Sequence, residues 1–289
     1  MIYIITALFA EAKPLIAAFH LKQRQLVTAF QVFESDSPKI SLIISGTGPA
    51  AGAAAAGFMC GRRRPDPEDF LVNVGTAACL SSESGAGGRL FQAVRLKSLA
   101  EGRTFYPDPL YDLGLTPCSL ATAGQVVRAG GQTETGPDQD LPLLYDMEAA
   151  GIYQAGLHFF GPHQMLFLKT VSDTGDGHVT AKRLEACIKA VLPDLTAVVE
   201  RLNVLSDQSA SAQDPVSEDL KALSVKLAGD LHLSAAMQIQ LRQLVHFAAV
   251  SGIDMEGITA SMYAEGRLPC RARREGKVQF EYLRQTLLL

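Results

Sequence analysis

Residues 1–205 alternate apolar runs of strand length with helical stretches rich in small residues. That alternation restricts the chain to an α/β layer fold. Ile2–Ala7 is a continuous apolar run that leads into the helix-like AEAKPLIAAF. Lys39–Ser45 is a second, followed by Gly46–Thr47–Gly48 and an Ala-rich helix through Ala56. Phe70–Val74 ends at Gly75–Thr76–Ala77–Ala78, Leu90–Leu96 reads as another strand, and Met165–Val171 ends in Ser172–Asp173. Runs apolar on both faces imply a central sheet covered by helices. Tyr145–Phe160, containing DMEAAGIYQAG, reads as a close-packed helix, and Ala181–Leu202 as a long closing helix. Pro193 falls inside the latter and predicts a kink or break.

Beyond residue 205 the pattern changes. Residues 206–217, SDQSASAQDPVS, are small and polar without periodicity and read as a linker. Residues 218–289 read as a helical extension, with Ser234 and Asp254 placed as N-caps. Arg267, Arg271, Arg273, Arg274 and Lys277 form a basic cluster there, read as a charged helix face. With 26 basic and 30 acidic residues the chain has a net charge of −4, which gives no reason to expect nucleic acid as a partner. No apolar stretch approaches the ~20 residues of a membrane span. The amino-terminal segment lacks a basic leader and meets Glu11 early, which reads as a cytoplasmic protein. Five scattered cysteines without a CxxC pair argue for free thiols, and no metal spacing involves the histidines.

Gly46, Gly48 and Gly52 do not match a dinucleotide GxGxxG, and Pro49 interrupts them. A tight strand-to-helix turn is the better reading, and such turns also line ligand sites. Gly75, Thr76 and Ala77 form a second turn that lets a ligand approach the backbone. Three carboxylates lie near element ends in apolar settings: Glu11 after the first strand, Glu148 in DMEAAG, and Asp173 at the end of the Met165–Val171 run. Desolvating an acid costs free energy, so a buried one calls for a partner or a task, while the alternative for each is a solvated turn or cap residue.

In order along the chain, ITALFAEAKPL, SGTGPAAGA, VNVGTAACL, DMEAAGI and KTVSDTGD resemble the motifs of the nucleoside phosphorylase/nucleosidase superfamily. The methylthioadenosine/S-adenosylhomocysteine nucleosidases and futalosine hydrolases are the nearest branches in motif. The resemblance covers residues 1–205 and not the extension. It implies a three-layer α/β/α fold with a central mixed sheet, and hydrolysis of the N-glycosidic bond of a purine nucleoside, with a 5′-modified one favoured. No cofactor is implied, and a homodimer is. By motif position, Glu11 resembles the base that activates water, Met147 and Glu148 the ribose clamp, and Asp173 the acid that protonates the leaving base. The chemistry fits these roles. A carboxylate stabilises an oxocarbenium-like transition state, and a water nucleophile needs a base opposite the leaving group. A purine leaves well only when protonated, which calls for an acid whose pKa is raised, as burial of Asp173 would achieve.

Phosphorylases of this superfamily place an arginine on the strand where this chain has Asn73. That departure, with Glu11 in the first motif, favours water over phosphate. Arg62–Arg64 reads as solvent-facing. The adenine-holding stretch of the nucleosidases has TAGQVV as its counterpart, with Gln125 and Val127 in place of an acid and an aromatic. Phe105 in EGRTFYPDP is then a candidate stacking group, alongside Tyr106. His178 reads as a loop histidine, and Asp176 as a residue that orients the Asp173 loop. A phosphorylase and a non-catalytic nucleoside-binding module stand as the alternative readings.

Overall fold

Strand β1 (Ile2–Thr6) is buried along its whole length because it lies between two parallel neighbours, β4 (Lys39–Ile44) and β5 (Phe70–Ala78). The computed structural model describes residues 1–24, 29–80, 88–108, 110–128, 141–176, 179–211 and 215–288. It places β3 (Gln31–Asp36) antiparallel to β4, and β2 (Lys22–Gln23) at the edge beside β3. On the other side, β5 pairs in parallel with β10 (Met165–Asp173). β10 runs antiparallel to β6 (Leu90–Ser98), which pairs with β8 (Thr116–Thr122) and carries the short β7 (Thr104–Phe105). β8 then pairs with β9 (Leu143–Asp146), and β9 returns to β5 through Ala78 and Tyr145. Five strands of the mixed sheet therefore close on themselves, and β1, β4, β3 and β2 extend it on the open side.

Alternation along the strands builds two cores. Ile2, Ile4, Leu42, Val72 and Leu168 face α1 (Phe9–Ala18), α4 (Ala181–Ala190) and α5 (Leu192–Ser211). Tyr3, Ile5, Ile43, Leu71 and Phe167 face α2 (Pro49–Arg62) and α3 (Ala149–Gly156). This is the three-layer α/β/α arrangement, and burial on both faces explains why these strands read as unbroken apolar runs.

The closing helix is broken, as Pro193 predicts: α4 ends at Ala190 and α5 begins at Leu192. Two readings need correction. Tyr145–Phe160 is not one helix, because Tyr145 and Asp146 belong to β9 and α3 starts only at Ala149. The segment read as a linker from residue 206 is helical through Ser211. No Gly or Pro interrupts it before Pro215, and Ser206 is buried and accepts a hydrogen bond from the Met1 ammonium.

The chain divides into two compact units, Met1–Ser211 and Ala212–Leu289. The second consists of α6 (Glu218–Asp230), α7 (Ala235–Ser251), α8 (Met255–Ala264) and α9 (Arg273–Leu288) around its own core, which includes Leu227, Leu241, Phe280 and Leu283. Ser234 and Asp254 do cap α7 and α8, accepting from Met237 N and Gly257 N. All five cysteines are free, and four are buried. No described helix is long and apolar enough to cross a membrane.

Candidate active site

Parallel strands bring their carboxyl ends to one edge of the sheet, where loops open a crevice. Here that edge collects the turns after β1, β4, β5 and β10, joined by the turn after β9. A cavity of about 200 Å³ lies there, lined by Glu11, Thr47, Thr76, Ala77, Val127, Met147, Glu148 and Asp173. Leu8, Ala78, Val126, Val179 and Leu184 supply apolar wall, and Gln125 an amide. The fold thus brings seven of the residues singled out in the sequence onto one cavity, although they span positions 11 to 173.

Glu11 is third in α1 and nearly fully buried. One carboxylate oxygen accepts from Ala7 N at 3.2 Å and Leu8 N at 3.1 Å, satisfying amides at the helix start. The other accepts from Thr76 N and Thr76 Oγ1, both at 2.8 Å. The residue therefore ties β1 to the β5 turn. Glu148 is the N-cap of α3, and its Oε1 accepts from Gly48 N at 2.9 Å. Burial pushes its carboxyl up from 4.5 to about 7, and neighbouring Asp146 and Glu11 add to the rise. Lys169 and the Gly48 amide pull the other way. Asp173 ends β10 and is buried, with Oδ2 accepting from Ser172 Oγ at 2.7 Å and Oδ1 from Gly175 N at 2.9 Å.

The remaining named residues sit elsewhere. Gly46 has φ +82° and donates to Ala7 O at 3.0 Å, so it makes the turn while Thr47 reaches the cavity. Gly75 lies behind the wall. A Cβ there would stand 3.2 Å from both Glu11 Oε1 and Lys169 Nζ, so its bare backbone leaves room for the two charges. Phe105 is not a stacking group at this cavity. It is buried against Tyr153, ring centroids 5.3 Å apart, with Arg103 over its face at 5.0 Å. It stands on β7 rather than in a loop, with the ring turned inward. Tyr106 is exposed and is not among the residues that line the cavity, and its carbonyl accepts from Tyr153 Oη at 3.2 Å. Asn73 is buried and donates to Ile5 O at 3.1 Å. Asp176 pairs with Arg183 at 3.3 Å, and His178 lies outside the described residues.

Two functional neighbours were missed. Lys169, fully buried in the middle of β10, pairs with Asp146 at 3.0 Å. The signal was a single lysine inside the run MLFLKTVSD. Among the described residues, no group of His, Cys, Asp and Glu side chains is placed to hold a metal ion. A larger cavity, about 610 Å³, lies between α6 and α7, but no carboxylate lines it.

No protein-family profile matches the chain, and no curated protein matches it in sequence. Its fold is similar to solved structures. A 5′-methylthioadenosine nucleosidase from Arabidopsis thaliana matches with a TM-score of 0.59 and 18% identity, over 71% of this chain and 98% of that one. A mutant of the Helicobacter pylori nucleosidase, solved with 5′-methylthioadenosine in its active site, matches with 0.58 and 16%, over 69% and 98%. Futalosine hydrolase from Helicobacter pylori gives 0.56 and 16%, over 69% and 97%. The chain therefore has the fold of these nucleosidases.

Proposed function

We propose that the chain is an enzyme that hydrolyses the N-glycosidic bond of a purine nucleoside, releasing free base and the ribose moiety. The observation that carries this reading is the meeting of Glu11, Glu148 and Asp173, from three separate elements, on one cavity at the strand ends. The nucleosidase fold supports it. In this reading Glu11 takes the proton of an attacking water. Glu148 accepts hydrogen bonds from the sugar hydroxyls beside Met147 and offsets the positive charge that develops on the ring. Asp173 protonates the departing base. Thr76, Ala77 and Val127 shape the wall against base and sugar, and Gly75 behind it leaves room for Glu11 and Lys169. Each acid–base step contributes on the order of 10²–10⁴-fold.

The apolar wall of Leu8, Val179 and Leu184 favours a 5′-modified nucleoside with an apolar substituent. Water is favoured over phosphate, because no Lys or Arg is among the described residues that line the cavity. We read the working form as a cytoplasmic homodimer that needs no cofactor. The test is release of free base from methylthioadenosine, S-adenosylhomocysteine, 5′-deoxyadenosine, futalosine, inosine and adenosine, with and without phosphate. Turnover without phosphate is the predicted result. Turnover only with phosphate establishes a phosphorylase instead, and silence from folded protein favours a binding module.

A further inference from the structure

Strand alternation turns Met165, Phe167 and Lys169 toward the same side of the sheet, where the first two join an apolar core. An ammonium in that position must be paired. Lys169 Nζ meets Asp146 Oδ2 at 3.0 Å. Asp146 has two further donors. Its Oδ1 accepts from Thr122 Oγ1 at 2.7 Å, and its Oδ2 from Ala149 N at 2.9 Å. Thr122 Oγ1 in turn accepts from Ala150 N at 3.0 Å. The pair thus holds the first turn of α3, which begins immediately after Glu148.

The charged groups that act on Lys169 come from three elements: Asp146 at the end of β9, Glu148 at the start of α3 and Glu11 on α1; the Cys118 thiol on β8 is also close, and burial pushes it up so that it stays neutral. Three carboxyls share one ammonium, and they are not equally supplied with donors. Glu11 accepts four hydrogen bonds and Asp146 accepts two besides its ion pair. Glu148, among the described residues, accepts one, from Gly48 N. Of the three carboxyls Glu148 is thus the least supplied with donors among the described residues, and it lines the cavity.

We infer that Lys169 is a positioning residue: its ion pair with Asp146 fixes the turn that aims Glu148 into the cavity, and its ammonium is the countercharge that Glu148 shares with Asp146 and Glu11, leaving the Glu148 carboxyl to meet a sugar diol. The role of the diol rests on the hydrolase reading, whereas the charge relation does not. A vicinal diol supplies the donors that Glu148 lacks, so binding completes its ionisation.

The two partners act on Glu148 with opposite signs, and that makes the inference testable. The titration of Glu148 is followed by ¹³C NMR of the ligand-free full chain labelled at the glutamate carboxyls, with Glu148→Gln assigning the signal. Lys169→Met is predicted to raise the Glu148 midpoint by about one unit or more, the usual size of a close countercharge. Asp146→Asn is predicted to lower it, and Lys169→Arg to leave it near the wild-type value. In active enzyme the acidic limb of kcat/KM moves with each midpoint. An unmoved midpoint in Lys169→Met, or a shift of both variants in one direction, overturns the inference. If Lys169→Met does not fold, Asp146→Asn decides alone: a lowered midpoint supports it, and a raised or unchanged one overturns it. If no nucleoside in the panel is turned over, the hydrolase reading fails while these titrations still decide the charge relation.

Discussion

Among the described residues Glu148 is held by one hydrogen bond where Glu11 is held by four, and its environment pushes it up to about 7. A ribose clamp must be ionised to accept hydrogen bonds from both hydroxyls through its two oxygens. In the nucleosidase reading, kcat/KM therefore rises with pH through about 7, and a limb near 4–5 contradicts the assignment of Glu148. Stability runs in the opposite sense. A carboxyl whose folded pKa is raised stabilises the fold most below its ordinary value and loses that contribution as pH rises through the folded one. From 4.5 to about 7 the loss is up to roughly 3 kcal/mol. Glu148→Gln cannot ionise, so denaturant titrations should show it gaining on the wild type between about pH 4 and about pH 8. A constant difference across that range would remove burial as the cause. At this scale much of the site was readable in the sequence. Acids at the ends of apolar runs announce themselves by their cost. Lys169 and Asp146 were not recognised because their meaning lies in a pairing between β10 and β9, which no local pattern reveals. Phe105, read from the sequence as part of a loop, stands on β7, and the inward direction of its ring is set by packing on Tyr153 that no local pattern reveals.

Between elements, the close approach of α2 and α3 sets the geometry of Glu148. A Cβ on Gly151 would stand 2.1 Å from Pro49 O, and one on Gly52 would stand 2.8 Å from Ile152 Cγ1. Only bare backbone permits this crossing, which also brings Gly48 N to Glu148. Gly151→Ala is predicted to destabilise the protein by about 2–3 kcal/mol or more, the cost of overpacking against a backbone that cannot yield. Gly57→Ala, in the same helix α2 but with open space around it, is predicted to stabilise by about 0.5–1 kcal/mol. Urea denaturation of both variants checks the pair, and equal effects would contradict the packing argument. Strands covered on both faces, such as β1, β4 and β5, were legible as apolar runs. β8, whose sequence is TPCSLAT, and the four residues of β9 were not. Their extended form is set by pairing with β6, β5 and each other rather than by composition.

Across the whole chain, two bodies with separate cores are joined near residue 211. Every described residue that lines the candidate site belongs to the first. A chain ending at Ser211 is therefore predicted to fold cooperatively and to keep kcat/KM without measurable loss. Calorimetry and base release check this, and an unfolded or inactive product would show that the helical unit completes the fold or the site. The change of composition after residue 205 made the existence of a second unit legible, and the cap residues Ser234 and Asp254 located two of its four described helices, α7 and α8. Its starting point was less legible, because Ser and Ala continue a helix as readily as they form a linker.

The most direct test is base release by folded Glu11→Gln, Glu148→Ala and Asp173→Asn beside the wild type, on whichever nucleoside the wild type cleaves without phosphate. Each substitution is predicted to lower kcat/KM by at least about 10²-fold while the far-ultraviolet spectrum is unchanged. A folded variant that retains the wild-type rate would contradict the claim that these three carboxyls carry the reaction.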